Sequence, residues 1–344
     1  MGKCSGVVRD IVRGMLREGL AEEVVAFGRA AGESGIVPLF ITDEQDIERI
    51  VTTSYYPCGL TRLVTEYGDK NKKIGMVVRS CDARLTVELA NRQQINLENI
   101  YLIGIECYGV AKASDEKHEY YIFPDEMEID GELKPLDEAI LSPNCRRCEY
   151  PIPTMADVSC RIEPDGGCFV TANTEKGKEM LSAASASNDE GPPTDVTAIK
   201  ERAARWQESD FGELKKMDSK ERLSYWLSQF DKCIKCYGCR NACSLCYCKA
   251  CVLEPERQLI QGGEYPPDDL FHMTRLIHVA DGCTNCGQCE AACPAEIPVS
   301  RLYHMLHKEL SSLFDYESGF DTNSLLPTAR ITEEDLTKTG VDLD

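Results

Sequence analysis

The spacing of apolar residues predicts an α/β region in the first half of the chain. Residues 5–20 place apolar side chains at helical spacing and predict an amphipathic helix. Short apolar runs then predict strands at 24–27, 37–42, 74–79 and 101–105. A further amphipathic helix, expected at about 83–94, would separate the last two strands and follow the stretch 80–82. This strand–helix–strand pattern is typical of an open α/β sheet.

Two cysteines lie where predicted strands end. Cys81 lies two residues after the strand at 74–79, and Cys107 lies two residues after the strand at 101–105. Ligands of open α/β sheets bind at the carboxyl ends of the strands. The placement of the two cysteines therefore indicates a site at that edge of the sheet.

Composition narrows the class of protein. The chain has 344 residues, a formal charge of −20 and 19 cysteines. The acidic excess argues against nucleic acid and anionic membranes, both of which favour Lys and Arg. No apolar run approaches the roughly 20 residues that cross a bilayer, and the N-terminus lacks the apolar stretch of a signal peptide. We therefore expect a cytoplasmic protein without membrane insertion, in which metal ligation explains the cysteines better than disulfides do.

Two cysteine runs with identical spacing lie in the last third of the chain. Each run has the form Cys-x2-Cys-x2-Cys-x3-Cys, and the runs comprise Cys233, Cys236, Cys239 and Cys243, then Cys283, Cys286, Cys289 and Cys293. Three thiolates of such a run reach one [4Fe–4S] cluster, and the fourth ligates the other cluster. We therefore predict two clusters with crossed ligands, in which Cys293 joins the first three cysteines of the first run and Cys243 joins those of the second. The alternative, zinc, is typically bound by separated cysteine pairs.

Other cysteines leave alternatives open. Cys81, Cys107, Cys145 and Cys148 could ligate a third [4Fe–4S] cluster, and the Cys-x2-Cys spacing of the last two supports this; buried core thiols are the alternative. The group Cys246, Cys248 and Cys251 is interpreted as buried or partner-facing thiols, with a further metal centre as the alternative. His304 and His307 are expected on the surface of a helix packed behind the cluster domain, with metal coordination by the pair as the alternative.

The cysteine-rich segments resemble one protein family. The segments 77–109, 144–160, 233–251 and 281–304 are similar to the beta subunits of coenzyme F420-dependent formate dehydrogenase and F420-reducing hydrogenase. The formate dehydrogenase branch fits better because its two-cluster module lies at the C-terminus. The resemblance runs from about residue 4 to residue 310.

The resemblance implies cofactors and partners. Such subunits bind FAD, which exchanges a hydride with coenzyme F420, and clusters connect the flavin to a catalytic alpha subunit. In some cases electrons also pass towards heterodisulfide reductase. The glycine-rich turn of the family corresponds here to residues 3–6, so Ser5 and Gly6 are the implied flavin-phosphate contacts at a helix N-terminus. From the residues alone, a plain helix cap by Ser5 is favoured.

We therefore expect an α/β flavin domain at 1–181, a linker and helical connector at 182–230, a two-cluster ferredoxin-like domain at 231–310 and an acidic tail at 311–344 that wraps a neighbour or frays. The predicted function is that of the electron-transfer beta subunit of a formate dehydrogenase complex, an oxidoreductase in which a partner chain oxidises formate. Two alternatives stay open. One is a flavin-free adaptor that wires two redox enzymes together, because the chain is shorter between 110 and 140 than the family pattern. The other is the equivalent hydrogenase subunit.

Overall fold

The fold was analysed in a computed structural model, which describes residues 4–30, 36–52, 59–68, 71–110, 138, 141–163, 167–189, 191–254 and 268–327. The N-terminal elements are α1 (Cys4–Arg17), β1 (Glu23–Arg29), β2 (Ile36–Ile41), α2 (Glu44–Ile47), α3 (Leu60–Tyr67), β3 (Ile74–Arg79), α4 (Ser80–Asn91) and β4 (Ile100–Ile105). A short helix, α5 (Pro143–Arg146), precedes β5 (Val158–Ile162), β6 (Cys168–Ala172) and α6 (Glu175–Ala183). The C-terminal helices are α7 (Thr197–Lys216), α8 (Ser219–Phe230), α9 (Gly238–Asn241), α10 (Asp268–Val279), α11 (Gln288–Ala291) and α12 (Val299–Phe314).

The strands form one six-stranded sheet in the order β2-β1-β3-β4-β5-β6. The four inner strands are parallel, and the two edge strands pair antiparallel to their neighbours. Every residue of β3 and β4 is buried, as expected for parallel strands covered on both faces. The prediction of an α/β region is therefore confirmed, including the strand–helix–strand unit β3–α4–β4.

Helices cover the sheet on both faces. On one face α1 and α6 bury apolar side chains, among them Ile11 and Met180, against the strands. On the other face Leu60 and Val64 of α3 and Ala83 of α4 pack against β1, β3 and β4. This three-layer arrangement fixes the carboxyl ends of β3 and β4 at one edge, where α4 begins.

The helix after β3 begins earlier than the sequence pattern indicated. It was expected at about 83–94, but α4 spans Ser80–Asn91 because the extended backbone of Arg79 caps the helix directly. The physical reason is that β3 runs into α4 without a loop. Cys81 therefore lies in the first turn of a helix and not in a connecting stretch.

The C-terminal helices share a separate hydrophobic core. Trp226 and Phe230 of α8 pack with Phe271 of α10 and Tyr303 of α12, and Leu89 of α4 joins the same core. Because α4 contributes to this core as well as to the sheet, it connects the sheet with the cysteine-rich region.

Residues 315–327 pack against α4 of the same chain. The guanidinium of Arg84 lies between the rings of Tyr150 and Phe320, 4.3 and 4.6 Å from their centroids. The hydroxyl of Tyr316 donates to Glu88 at 2.6 Å. This part of the expected acidic tail is thus held by aromatic and charged contacts, and residues 328–344 lie outside the described residues.

The expected surface position of two histidines is wrong. His304 and His307 on α12 are 4% and 1% exposed. His307 Nδ1 lies 3.1 Å from the carbonyl oxygen of Ala280, and the ring of His304 packs edge-on against Phe211. The helical spacing holds, but His307 is covered by Glu317 and Ser318, which follow α12, and His304 is covered by Phe211 of α7.

Candidate functional site

The two cysteine runs fold into matching loops. In the first run Lys235 and Tyr237 have φ of 52° and 60°, and Asn285 and Gly287 of the second run have φ of 56° and 75°. In both runs the backbone N–H of the fourth cysteine donates to the carbonyl three residues earlier, at 3.2 and 3.0 Å. Left-handed conformations are uncommon outside glycine, so their repetition at the same positions indicates a loop shape set by the cysteine spacing.

A cysteine of the second run lies beside the first run. Burial raises the pKa of the Cys239 thiol, the guanidinium of Arg275 opposes the rise, and the nearby thiols of Cys293 and Cys233 add to it. Cys233, Cys239 and Cys293 are thus close neighbours, and they are three of the four ligands predicted for the first cluster. Cys236, the fourth, is exposed.

The first three cysteines of the second run also form a group. Burial raises the pKa of Cys286 to about 12 and that of Cys283 to about 11. Burial also raises the pKa of Cys289, and the nearby thiols of Cys286 and Cys283 raise it further. The remaining predicted ligand, Cys243, lies beside Cys246, whose backbone N–H donates to the carbonyl oxygen of Cys243 at 3.0 Å.

A buried arginine faces the cysteines of the first run. The Arg275 residue on α10 is 1% exposed, and its Nη2 donates to the carbonyl oxygen of Cys239 at 3.0 Å. Its Nε and Nη1 atoms find no oxygen or nitrogen acceptor among the described residues. A buried cation without full hydrogen bonding is costly unless a negative group lies beside it.

The four N-terminal cysteines predicted for a third cluster line one cleft. Cys81 enters it from α4, Cys107 from the segment after β4, Cys145 from α5 and Cys148 from the residues that follow. The empty volume of the cleft, which includes open solvent, is about 630 Å³. Cys286 of the second run lines the same cleft, which the sequence did not predict.

A second buried arginine forms part of the cleft wall. Arg79 ends β3, is 5% exposed, and lies 3.5 Å from the carboxylate of Asp82. Although burial opposes it, the Asp82 carboxylate and the thiols of the cleft raise the pKa of Arg79. The guanidinium therefore stays charged, and its positive charge would favour thiolates in the cleft.

The cleft is joined to the second run by a reciprocal pair of amides. Asn144 Nδ2 donates to the carbonyl oxygen of Asn285 at 3.2 Å, and Asn285 Nδ2 donates to the carbonyl oxygen of Asn144 at 2.8 Å. A Cβ at Gly287 would lie 2.2 Å from the Asn144 side chain, so glycine is required for this approach. These contacts hold α5, with Cys145, against the loop that carries Cys286.

The residues at both places fit [4Fe–4S] clusters chemically. Such clusters are held by cysteine thiolates, each on a different iron, and the surrounding charge and hydrogen bonds set their potential. The cleft supplies four thiols and Arg79, and the two runs supply eight thiols and Arg275. Within the described part of the chain, no group of three or more His, Cys, Asp or Glu side chains could hold a single metal ion. Three evenly spaced cysteines followed by a fourth, in both runs, suit multi-iron clusters better than a zinc ion, which is typically bound by separated cysteine pairs.

The implied flavin contacts lie at the start of α1. Ser5 is inside the helix and not at its cap, so the capping interpretation is wrong; its buried hydroxyl lies 2.7 Å from the hydroxyl of Thr52. No atom of the described residues lies within 4 Å of a Cβ built on Gly6, so none of them blocks this side of its backbone. A flavin contact at these two residues stays a prediction.

Three cysteines between the two runs line another cavity. Cys246, Cys248 and Cys251 face it together with Arg240 and Arg275, and its empty volume is about 910 Å³ including open solvent. Cys248 is exposed and Cys246 is partly buried. The sequence pattern drew attention to these thiols but did not predict the arginines beside them. Arg275, for example, lies on α10, 24 residues after Cys251 in the chain.

Comparison with known proteins identifies the family. The F420-dependent formate dehydrogenase subunit beta of Methanocaldococcus jannaschii is 31% identical over 367 aligned positions, covering 96% of this chain and 95% of the relative. The chain belongs to the family of F420-dependent formate dehydrogenase beta subunits. The F420-dependent formate dehydrogenase 1 subunit beta of Methanococcus maripaludis is also 31% identical, over 93% of this chain and 92% of its own length.

Two further comparisons gave matches. Residues 111–190 match the family model that describes the C terminus of the coenzyme F420 hydrogenase/dehydrogenase beta subunit. A chain of the F420-reducing [NiFe] hydrogenase complex from Methanosarcina barkeri is similar at 18% identity with a TM-score of 0.46, covering 63% of this chain and 87% of that chain. No helix within the described ranges is both long and apolar enough to span a membrane.

Proposed function

We propose that this chain is the electron-transfer beta subunit of an F420-dependent formate dehydrogenase, an oxidoreductase whose partner alpha subunit oxidises formate. The observation that carries the proposal is the similarity to F420-dependent formate dehydrogenase beta subunits over nearly the whole of both chains. Coenzyme F420 is the proposed hydride partner, and heterodisulfide reductase subunits are a further proposed acceptor complex.

The proposed layout follows the expected domains. Residues 1–181 form the flavin domain, 182–230 the connector and 231–310 the two-cluster module, followed by the tail at 311–344. When bound, a flavin accepts or gives a hydride while a cluster carries one electron at a time, so the two together convert hydride transfer into single-electron transfer. The residues of the chain hold, orient and electrostatically tune these groups.

The contacts of the cleft support a role between the flavin domain and the two-cluster module. Cys81 and Cys107 follow strands of the sheet, whereas Cys286 belongs to the second run, and all three line the same cleft. The reciprocal amide bonds of Asn144 and Asn285 fix this approach. A cluster held by the cleft cysteines would therefore lie between the sheet and the second run, which suits an electron path through the chain.

The proposal can be tested by comparing two acceptors. The chain is co-produced with its alpha subunit under anaerobic conditions, and formate-dependent reduction of F420 is measured beside formate-dependent reduction of a viologen dye. We expect Cys145→Ser and Cys148→Ser to lower F420 reduction at least about tenfold, since even the loss of a residue that only supports a metal ligand typically costs about 10–100-fold. Viologen reduction by the alpha subunit should stay within about twofold. Cys248→Ser, an exposed thiol outside the proposed ligand sets, is the control.

The same experiment distinguishes the alternatives. Unchanged F420 reduction in both cleft variants would contradict the proposed route through the cleft. A complex that reduces viologen but contains no flavin and never reduces F420 would instead favour the adaptor that only wires two redox enzymes. Hydrogen-dependent and formate-independent activity would favour the hydrogenase subunit.

A further inference from the structure

Three cysteines outside every proposed cluster meet on one face of the sheet. Cys160 lies on β5 and Cys168 on β6, where Cys160 pairs with Val170 and Cys168 pairs with Ile162. The two cysteines are therefore diagonal neighbours on the same face of an antiparallel pair. Cys4, the first residue of α1, packs on that face and belongs to the same core.

The sulfur atoms of two of them are in direct contact. Cys4 Sγ lies 2.7 Å from Cys168 Sγ, and the Cys160 thiol lies close enough to both to shift their pKa values. The cysteines of the cleft show no such sulfur–sulfur contacts among the described residues, and they line a space of about 630 Å³ that includes open solvent. Sulfurs that already touch leave no room for an iron–sulfur cluster between them, and no group of described side chains that includes them could hold a single metal ion.

The three cysteines differ in their exposure to solvent. Cys4 is 2% exposed and Cys160 is fully buried. Cys168 is partly exposed and begins β6, which is an edge strand of the sheet. Cys168 is therefore the most accessible of the three cysteines, and Cys4 lies behind it at contact distance.

We propose that Cys168 and Cys4 form a dithiol centre that reacts with dialkyl disulfides by thiol–disulfide exchange. The thiolate of Cys168 attacks one sulfur of the disulfide, its S–S bond breaks, and one thiolate leaves. Cys4 then attacks Cys168 Sγ in the mixed disulfide, forming the Cys4–Cys168 bond and releasing the second thiolate. The chain loses two electrons and two protons, and the dialkyl disulfide gains both as two thiols.

The surroundings of Cys168 favour its role as the attacking thiol. Hydrogen bonds from the thiols of Cys160 and Cys4 lower its pKa, against the opposing effects of burial and of the Glu163 carboxylate. The same contacts, with burial, raise the pKa of Cys4. Exchange proceeds through the thiolate, so the more exposed and more acidic thiol attacks first and the buried thiol resolves the mixed disulfide.

The reaction can be followed on the full, cluster-loaded chain. The probe is bis(2-hydroxyethyl) disulfide, added anaerobically, followed by alkylation in denaturant and peptide mass spectrometry. We expect a linked pair of peptides containing Cys4 and Cys168, release of two equivalents of 2-mercaptoethanol for each link formed, and reversal by dithiothreitol. This mapping on the unaltered chain does not depend on the folding of any variant.

Variants assign the roles of the thiols. Cys4→Ser should retain the probe as a mixed disulfide on Cys168, whereas Cys168→Ser should lose the internal link. Cys160→Ser should still form the Cys4–Cys168 link. Cys248→Ser, which changes an exposed thiol elsewhere, should react like the unaltered chain at these positions. Recovery of Cys4 and Cys168 as free thiols after exposure to the probe, or a link from Cys160 to Cys168 instead, would overturn the proposal.

Discussion

Removing one arginine should loosen the junction between α4 and the second cysteine run. Arg92 directly follows α4, and its Nε donates to Glu88 at 3.0 Å while its Nη2 donates to Asp281 at 2.7 Å. The side chains of Glu88 and Asp281 are 0% and 2% exposed. Asp281 lies two residues before Cys283, so this arginine connects the helix of the cleft with the loop of the second run.

The size of the expected loss of stability follows from the burial of the three charged side chains. Arg92→Leu would leave two buried carboxylates without their guanidinium, and breaking a buried ion pair costs about 3–5 kcal/mol. The unfolding entropy of a 344-residue chain near 60 °C is about 0.7 kcal/mol/K, so we expect the unfolding midpoint to fall by about 4–7 °C. Tyr316 still donates to Glu88, which favours the lower part of this range.

The assay is anaerobic thermal unfolding followed by circular dichroism, with iron content measured on the same samples. Lys178→Leu is the matched control, because its pair with Glu175 is exposed, with side chains 61% and 85% accessible, and such pairs contribute about 0–1 kcal/mol. Arg92→Lys should lose less stability than Arg92→Leu because the positive charge is kept. An Arg92→Leu chain that unfolds at the same temperature as the Lys178→Leu control would refute the reasoning.

Other predictions concern charge and protons at the cysteine sites. Arg275→Gln should lower the reduction potential of the nearest cluster by roughly 50–100 mV, because it removes a positive charge that acts through an effective dielectric constant of about 20. Redox titration measures the potential, and Lys216→Gln, which removes an exposed charge, is the control. Equal potentials in the Arg275→Gln and Lys216→Gln chains would contradict this prediction. Iron and sulfide incorporation into the metal-free chain should release protons and become more complete as pH rises from 6 to about 9. The reason is that metal binding needs thiolates, whereas burial raises the pKa of Cys145 to about 12. A yield of incorporated iron that does not change with pH would count against this prediction. The metal-free chain should lose stability as pH rises above about 9. Thiols of the unfolded chain ionise there, while the buried thiols of the folded chain stay protonated up to their raised pKa. Equal midpoints of denaturant-induced unfolding at pH 8 and pH 10 would argue against buried thiols.

Much of the α/β fold could be predicted from local patterns. The buried runs at β3 and β4 are continuous and apolar, and Cys81 and Cys107 follow them directly. Because parallel strands end at the same edge of a sheet, their proximity could be inferred without knowing the full topology. The spacing of the two later cysteine runs was equally local, and their loops do repeat the same backbone conformations.

The parts that escaped prediction depend on contacts between distant segments. Nothing in the spacing of Asn144 and Asn285 indicates that their amides bond reciprocally across 141 positions. The approach of Cys286 to the cleft follows from that contact and was missed for the same reason. Cys4 and Cys168 form no motif in the sequence, because a helix start and an edge strand meet only after the sheet has formed.

The most direct test of the proposed cofactor arrangement is anaerobic quantification of iron, acid-labile sulfide and flavin. The chain is first purified together with its partner and is then separated from it for this measurement. With four irons per [4Fe–4S] cluster, we expect about twelve irons and one FAD per chain, and about eight irons in Cys145→Ser. About eight irons in the unaltered chain would contradict a cluster at the cleft cysteines, and zinc in place of iron would contradict the account as a whole.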